Sequence, residues 1–226
     1  MKEQLDAIKN YYQKRAKEYE LVYKKPERQL DLTHLHTFLK EQFKNKYVLE
    51  VACGTGYWTK TIAESCTEIC AIDNSEEVLK LAHSKSYPPN TVVFGQYDLW
   101  QFGEEHNEFD SVFGGFIWSH ILKKDLPKFL KILLQQTHAK GELIFIDNKY
   151  VEGSSTPISR TDEDGNTYQI RQLQNGEEYE VLKNFPTKAE VMALVAELGV
   201  EMEWKELEYY WILKLKRRIS AEATLL

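Results

Sequence analysis

The sequence of 226 residues is long enough for one α/β domain with a full hydrophobic core. Its formal net charge of −6 argues against nucleic acid or an anionic membrane as a partner, because such binding is carried by clusters of Lys and Arg. The three cysteines have neither metal-type spacing nor an even number for disulfides, and the first residues contain no apolar targeting segment. We therefore expect a cytoplasmic protein with no metal site and no membrane span.

The first 45 residues predict a helical segment ahead of the main domain. Residues 3–24 place apolar side chains at three- to four-residue steps, and Pro26 ends this helix because its ring cannot continue the hydrogen-bond pattern. Residues 27–44 repeat the pattern and predict a second helix. The inward face of the second helix comprises Leu32, Leu35, Leu39 and Phe43.

A short apolar run over residues 47–52 is followed by Gly54 and Gly56 and then by a predicted helix over residues 59–65. A run of that length and composition indicates a buried parallel strand. A strand, a glycine turn and a helix together bring the backbone close to a ligand and direct helix N–H groups at it. The carboxylate of Glu50 lies inside the buried strand, so it needs a local hydrogen-bond partner.

The glycine loop is consistent with two kinds of ligand, a dinucleotide or a sulfur nucleoside. A turn that binds no ligand is the third interpretation. A dinucleotide site has a third glycine where this chain has Thr59, which counts against a nicotinamide-dependent oxidoreductase. The pattern present is Glu-x-x-x-Gly-x-Gly, and it resembles the first motif of the class I S-adenosylmethionine (SAM)-dependent methyltransferases. The resemblance implies that the loop passes under the amino acid and ribose portions of SAM. The cofactor-binding residues it implies here are Glu50, Ala52, Gly54, Gly56 and Trp58.

The Tyr-x-x-x-Ala-x-x-Tyr string from Tyr12 to Tyr19 resembles the opening of many small-molecule methyltransferases. The resemblance implies that residues 1–45 form a helical lid and that both tyrosines lie over the cofactor, where flat rings suit a cationic sulfonium. The alternative is that these tyrosines only pack the helix against the domain.

Asp73 ends a predicted second strand over residues 68–73, nineteen positions beyond Gly54. A carboxylate at that distance can accept hydrogen bonds from both ribose hydroxyls. Asn74 follows directly and is included in the cofactor site, although helix-capping chemistry also explains it.

A third strand over residues 91–95 leads to Asp98 and Leu99. The resemblance implies that Asp98 accepts from the adenine amino group while the backbone beside it, at Leu99, contacts the ring. An ordinary turn or cap role for Asp98 is the alternative.

A fourth strand over residues 108–113 ends in a loop at the edge of the sheet where ligands bind in α/β proteins. A methyl acceptor is expected to face Phe116, Trp118, Ser119 and His120, and Phe116 is also assigned to the cofactor site. His120 is the candidate general base because its ordinary pKa is near neutrality; a pocket wall or a loop anchor is the alternative role. The aromatic residues favour an apolar or aromatic acceptor.

A helix over residues 125–137 and a fifth strand over residues 141–146 complete the regular alternation, which residues 151–186 then interrupt. Two alternating runs joined by Asn-Gly predict an inserted hairpin over the pocket mouth. The cations Arg160, Arg171 and Lys183 are candidates for an anionic group on the substrate. Alternatively, the hairpin edge pairs with a second subunit in a homodimer.

A capping box, Thr187 to Glu190, begins a last helix that ends at Gly199. Two closing strands follow over residues 200–204 and 209–215, one of them antiparallel. The inward residues of the helix are predicted to be Ala189, Met192, Val195 and Leu198.

The predicted fold is α/β, with a doubly wound, mostly parallel seven-stranded sheet of the Rossmann-like methyltransferase type. It carries an N-terminal helical lid and an inserted β-hairpin. The segments are residues 1–45 (lid), 46–150 (cofactor-binding core), 151–186 (hairpin cap) and 187–226 (last helix and closing strands). The implied activity is transfer of a methyl group from SAM to an oxygen or nitrogen atom of a small molecule. The alternatives are a nicotinamide-dependent oxidoreductase and a non-catalytic SAM-binding regulatory protein.

Overall fold

The computed structural model describes residues 15–102 and 108–218, whose strands form two sheets. Within these residues the ten strands are β1 (Tyr47–Val51), β2 (Glu68–Asp73), β3 (Val92–Gln96), β4 (Phe109–Gly115), β5 (Thr137–Asn148), β6 (Arg160–Thr161), β7 (Thr167–Gln172), β8 (Glu178–Leu182), β9 (Val200–Glu206) and β10 (Tyr210–Arg217). The main sheet has the order β3-β2-β1-β4-β5-β10-β9. Strands β1 to β5 run parallel, and β10 is antiparallel to both of its neighbours. The predicted seven-stranded, mostly parallel sheet is confirmed.

Helices cover both faces of the main sheet. The α-helices of the described residues are α1 (Gln29–Gln42), α2 (Tyr57–Ala63), α3 (Glu76–His83), α4 (Leu126–Leu134) and α5 (Lys188–Val195). One apolar cluster joins α1, α2 and α3 to one face of the sheet, and a second joins α4 and α5 to the other face. The sheet is therefore doubly wound, as predicted. The helices cover its two faces, and the carboxyl ends of the parallel strands remain accessible at one edge.

The first predicted helix falls partly outside the described residues, which begin at Arg15. From there Ala16–Lys24 form a 3₁₀ helix rather than an α-helix. Lys25 is extended because the residue before a proline is disfavoured in the α conformation, and Pro26 then begins a short turn. The second predicted helix is confirmed as α1. Its four predicted inward side chains are buried: Leu32, Leu35, Leu39 and Phe43.

Helix α5 begins with the predicted capping box, in which Thr187 and Glu190 hydrogen-bond to each other's backbone N–H groups. Its predicted inward face is partly wrong, because Ala189 is exposed and Met192 is 57% exposed. Val195 is buried as predicted, and Val191 is buried where the prediction had its neighbour Met192. Apolar residues occur around most of this helix. Their spacing alone therefore does not distinguish an inner face that contains Met192 from one that contains Val191.

The inserted segment forms a small antiparallel sheet with the order β6-β7-β8. The predicted hairpin is confirmed as β7 and β8, and its turn places Gly176 at φ 88°, a conformation that suits glycine. The short β6 adds a third strand that the sequence pattern did not indicate. In the described ranges, no helix combines the length and apolar character needed to cross a bilayer.

Candidate functional site

The glycine loop connects β1 to α2 with three residues at positive φ: Ala52 (54°), Gly54 (55°) and Gly56 (75°). A Cβ atom added to Gly54 would meet nothing within 4 Å, so this position faces open space. A Cβ atom on Gly56 would lie 2.5 Å from the hydroxyl of Tyr87. Gly56 is therefore required for packing, whereas Gly54 keeps room for a ligand close to the backbone.

Asp73, at the end of β2, holds the loop through both carboxylate oxygens. Its Oδ2 accepts from the backbone N–H of Gly54 at 2.9 Å, and its Oδ1 accepts from that of Ser75 at 2.9 Å. The carboxylate thus fixes the loop relative to the start of α3, and its contact with ribose stays a prediction. Asn74 has an exposed side chain, and its carbonyl oxygen accepts from Gln96 Nε2 at 3.3 Å.

Glu50 is 2% exposed within β1, and its Oε2 accepts a hydrogen bond from Thr59 Oγ1 at 2.5 Å. Thr59 is thus the local partner that the buried carboxyl group requires. Burial raises the pKa of Glu50 to about 8 despite this hydrogen bond, and the nearby charge of Asp73 raises it further. The group is therefore predominantly protonated at neutral pH.

Asp98 caps the short 3₁₀ turn Leu99–Gln101, where its Oδ1 accepts from the backbone N–H of Trp100 at 3.0 Å. Leu99 is half-buried and packs against the second apolar cluster. The cap role explains the conformation of Asp98, and contacts of either residue with adenine stay predictions.

The N-terminal segment reaches the glycine loop through Glu20. Its Oε1 accepts from Thr55 Oγ1 at 2.7 Å and also from Lys85 Nζ. Burial alone would raise the pKa of Glu20, but the hydrogen bonds from Lys85 and Thr55 hold it below its usual value. Of the two predicted lid residues, Tyr12 lies outside the described residues, and so does the side chain of Tyr19.

An aromatic cluster lies between the N-terminal segment and the end of β4. The ring of Tyr23 stacks on Tyr57 with centroids 3.8 Å apart, and its hydroxyl accepts from Trp58 Nε1 at 3.2 Å. Phe116, at φ 62°, is 5.9 Å from Tyr23 and 6.0 Å from Trp58 between ring centroids. Trp58 is buried in the core below this cluster, whereas Tyr23 and Phe116 line a cavity.

The cavity, of about 260 Å³, lies between the main sheet, the N-terminal segment and the inserted sheet. Phe116, His120 and Tyr210 form part of its wall. Among its described lining residues are five cations and no Asp or Glu: Arg15, Lys25, Arg28, Arg171 and Lys183. The cavity lining thus combines aromatic side chains with cations, and an apolar or aromatic acceptor stays a prediction.

Two residues expected to face the acceptor do not line this cavity. Trp118 is 1% exposed and packs in the second apolar cluster against Trp211, because the loop after β4 turns its ring under the sheet. Ser119 is fully buried and donates its backbone N–H to Asp147 Oδ2 at 2.9 Å. Arg160 also lies elsewhere, since it forms an exposed ion pair with Glu180 at 2.6 Å.

His120 is buried in the cavity wall, and its Nδ1 lies 2.7 Å from the carbonyl oxygen of Leu182. A carbonyl oxygen only accepts, so Nδ1 carries the proton and the lone pair is on Nε2. Burial and the positive charges of Lys183 and Arg171 hold the pKa of His120 well below its usual value. The imidazole is therefore neutral, as a proton acceptor must be, and its role as general base stays a prediction.

A buried ion pair joins the main sheet to the inserted sheet. Lys183 Nζ donates to Asp147 Oδ1 at 2.8 Å and to Ser119 Oγ at 2.6 Å, and both charged side chains are at least 96% buried. Burial lowers the pKa of Lys183 to about 8, although Asp147 opposes this change. The sequence pattern did not single out Asp147, because its partner is 36 residues away.

Arg28 is a second charged residue that the sequence pattern did not single out. It is 6% exposed, and its Nη1 donates to Asn148 Oδ1 at 3.0 Å. Its Nε and Nη2 donate to Ser154 Oγ at 3.0 and 2.9 Å. The guanidinium also lies 5.3 Å from the ring centroid of Tyr209 and 5.6 Å from that of Tyr210.

As for metals, the described part of the chain has no group of three His, Cys, Asp or Glu residues that could hold an ion.

Residues 48–141 match the family model described as a methyltransferase domain. This segment runs from β1 into β5 and contains the glycine loop, Asp73 and His120. The protein YqeM of Bacillus subtilis (strain 168), which has a provisional methyltransferase name, is 35% identical over 65 residues. That match covers 29% of this chain and only 26% of YqeM.

Solved structures are similar over most of the chain. A structure of DhpI described as a complex with SAM and HEP has a TM-score of 0.77 at 23% identity, covering 94% of this chain and 97% of DhpI. The PH0226 protein from Pyrococcus horikoshii OT3 has a TM-score of 0.68 at 19% identity, with 89% and 99% covered. A SAM-dependent methyltransferase from Aquifex aeolicus has a TM-score of 0.61 at 18% identity, with 90% and 97% covered. At these identities the likeness is one of fold, and it confirms the predicted Rossmann-like architecture.

Proposed function

We propose that this chain, which carries a class I SAM-dependent methyltransferase domain, methylates an oxygen or nitrogen atom of a small molecule held in the cavity. The observation that carries the proposal is the position of two features at one edge of the main sheet. The glycine loop and Asp73 lie at the carboxyl ends of β1 and β2, and the cavity is lined by Phe116 and His120 at the end of β4. Strands β1 and β4 are direct neighbours, so cofactor and acceptor would meet at the point where the strand order reverses.

The residues at the glycine loop fit SAM. Gly54 faces open space, and a carboxylate such as that of Asp73 is an acceptor-only group of the kind that suits a ribose diol. Ala52, Asp98 and Leu99 would complete the site at the same edge. Trp58 and Glu50 are buried and would support the loop from the core. Bound SAM supplies a methyl group attached to a positively charged sulfur. When the methyl group is transferred, the sulfur becomes a neutral thioether and is the leaving group.

The side chains of this protein would mainly align the acceptor and exclude water. Tyr23 and Phe116 form an apolar wall where the cavity approaches the glycine loop. The N-terminal segment would act as a lid and the inserted sheet as a cap. For a hydroxyl or amine acceptor, His120 Nε2 would take the proton that is lost as the new bond forms.

An open cavity favours an enzyme over a non-catalytic SAM-binding regulator, because a regulator has no need for acceptor space. Thr59 favours SAM over a nicotinamide cofactor, because its hydroxyl serves Glu50 where a dinucleotide site needs a third glycine.

Calorimetry with SAM, its demethylated product and NADH tests the cofactor assignment. We expect both sulfur nucleosides to bind one site per chain and NADH not to bind. Binding of NADH without SAM would overturn the methyltransferase proposal. Transfer of a labelled methyl group from SAM to a panel of small acids, alcohols and amines then tests for turnover. A variant with Gly54→Val, which both fills the open space beside the loop and strains the left-handed backbone at φ 55°, is the inactive control.

A further inference from the structure

The chain at the end of β8 is bonded to the loop after β4 on both sides of His120. The carbonyl oxygen of Leu182 accepts from Nδ1 of His120 at 2.7 Å. The backbone N–H of Asn184 donates to the carbonyl oxygen of Ser119 at 2.8 Å, and its side-chain amide donates to that of Ile121 at 3.0 Å. All of these residues are buried. The inserted sheet is therefore built into the wall that carries the candidate base, and it fixes the orientation of the ring.

Lys183, between the two bonded residues of this chain, joins the same loop to β5. Its Nζ donates to Ser119 Oγ at 2.6 Å and to Asp147 Oδ1 at 2.8 Å. The other oxygen of Asp147 accepts from the backbone N–H of Ser119 at 2.9 Å. Because Ser119 directly precedes His120, the ion pair holds the chain at the point from which the imidazole projects. An ammonium group suits this position, since its three N–H donors can bind the carboxylate and the hydroxyl together.

The ion pair also controls the charge that the ring meets. The charged groups that act on His120 are Asp147 from β5, Arg171 from β7 and Lys183. Burial lowers the pKa of His120, the charges of Lys183 and Arg171 lower it further, and Asp147 opposes them. Without Lys183, Asp147 would be a buried carboxylate without its counter-ion, and it would draw a proton onto the ring nearby. A protonated imidazole cannot take the proton of an acceptor.

From these contacts we propose that Lys183 is a positioning residue for the methyl transfer. It neutralises Asp147 and, together with Asn184, holds His120 with the proton on Nδ1 and the lone pair on Nε2. The inference rests on the proposed function, in which His120 takes a proton from the acceptor. It gives the inserted sheet a part in the chemistry beyond that of a cap, because the orientation and the charge of the base both depend on β8.

NMR of protein labelled with heavy nitrogen at its histidines tests the inference without cofactor or acceptor, and a His120→Gln variant identifies the signals of His120. In the wild type we expect a neutral ring with its proton on Nδ1 at pH 6.5, where an ordinary histidine is half protonated. Lys183→Met should raise the pH midpoint of ring protonation by about one unit or more, because the charge of Asp147 is then unbalanced. Lys183→Met combined with Asp147→Asn removes both charges and should bring the midpoint most of the way back.

Two further variants keep this test decisive. Arg160→Gln removes a positive charge from the inserted sheet outside the cavity, and this matched control should move the midpoint by less than about 0.2 pH units. Lys183→Gln removes the charge but keeps N–H groups for Asp147, so it replaces Lys183→Met if that protein does not fold.

The outcomes separate this inference from the proposed function. A wild-type ring with its proton on Nε2, or an unchanged midpoint in the Lys183 variants, would overturn the positioning role. Equal shifts in the single and the double variant would also overturn it, because a loss of packing alone would act on both alike. None of these measurements depends on SAM. Failure of SAM to bind in calorimetry would refute the methyltransferase proposal itself, whatever the state of the ring.

Discussion

Replacing Glu50 by Gln should change how the stability of the protein depends on pH. Burial raises the pKa of this carboxyl group from its usual 4.5 to about 8, so the folded chain keeps a proton that the unfolded chain releases. Gln has nearly the same shape and can still accept from Thr59 Oγ1, but it does not titrate.

The sign and size of the effect follow from the two pKa values. A raised pKa in the folded state gives stability that is fully present below the unfolded value of 4.5 and is lost as the pH rises through the folded value of about 8. One proton separates the two states in this window, so the free energy of unfolding should fall by about 1.4 kcal/mol per pH unit. Between about pH 5 and pH 8 the wild type should therefore lose about 4 kcal/mol relative to Glu50→Gln.

Urea unfolding of both proteins without cofactor, at several pH values across this window, measures the difference. The two should be equally stable within about 1 kcal/mol near pH 5 and should diverge steadily above it, with the variant more stable. Glu76→Gln, which removes an exposed carboxylate from α3, is the matched control and should follow the wild type. Parallel profiles for wild type and Glu50→Gln would show that Glu50 is ionised in the folded protein and would refute the reasoning.

Three further predictions concern other residues of the site. Asp73→Ala removes the acceptor for the N–H groups of Gly54 and Ser75 and should weaken SAM binding by roughly tenfold to a hundredfold in calorimetry; an unchanged affinity would remove the ribose assignment. His120→Ala should lower kcat by about a hundredfold while changing the Kd for SAM less than about threefold, and equal turnover would return His120 to the cavity wall. Lys183→Met leaves Asp147 buried without its counter-ion and should cost about 3–5 kcal/mol in denaturant unfolding, of which a second change, Asp147→Asn, should restore a large part.

The arrangement of the glycine loop and Asp73 was predictable because its signals are local in sequence. Two glycines directly after a buried strand, and a carboxylate at the end of the next strand, occupy positions that parallel topology brings together. The structure joins them through the hydrogen bond between Gly54 and Asp73. The family model over residues 48–141 supports the same resemblance to the class I methyltransferases.

The lining of the cavity was predicted less well because distant segments build it. Arg28 lies 126 residues from Ser154, and Lys183 lies 36 residues from Asp147. Neither pairing leaves a periodic pattern or a short motif in the sequence. The residue type and position of Trp118 were misleading, because a large aromatic side chain after β4 can either line a pocket or pack in the core. Edge-to-face contacts with Trp211 and Phe145 bury it in the core.

The contacts of Glu20 with Thr55 and Lys85 bear on product release in the proposed reaction. The carboxylate of Glu20 links the N-terminal stretch to Thr55 of the glycine loop and to Lys85. Release of the demethylated cofactor from that loop would then require these contacts to break. Opening of these contacts would then be one step of each proposed catalytic cycle. Added salt would weaken the partly exposed ion pair between Glu20 and Lys85 and so favour opening of the N-terminal stretch.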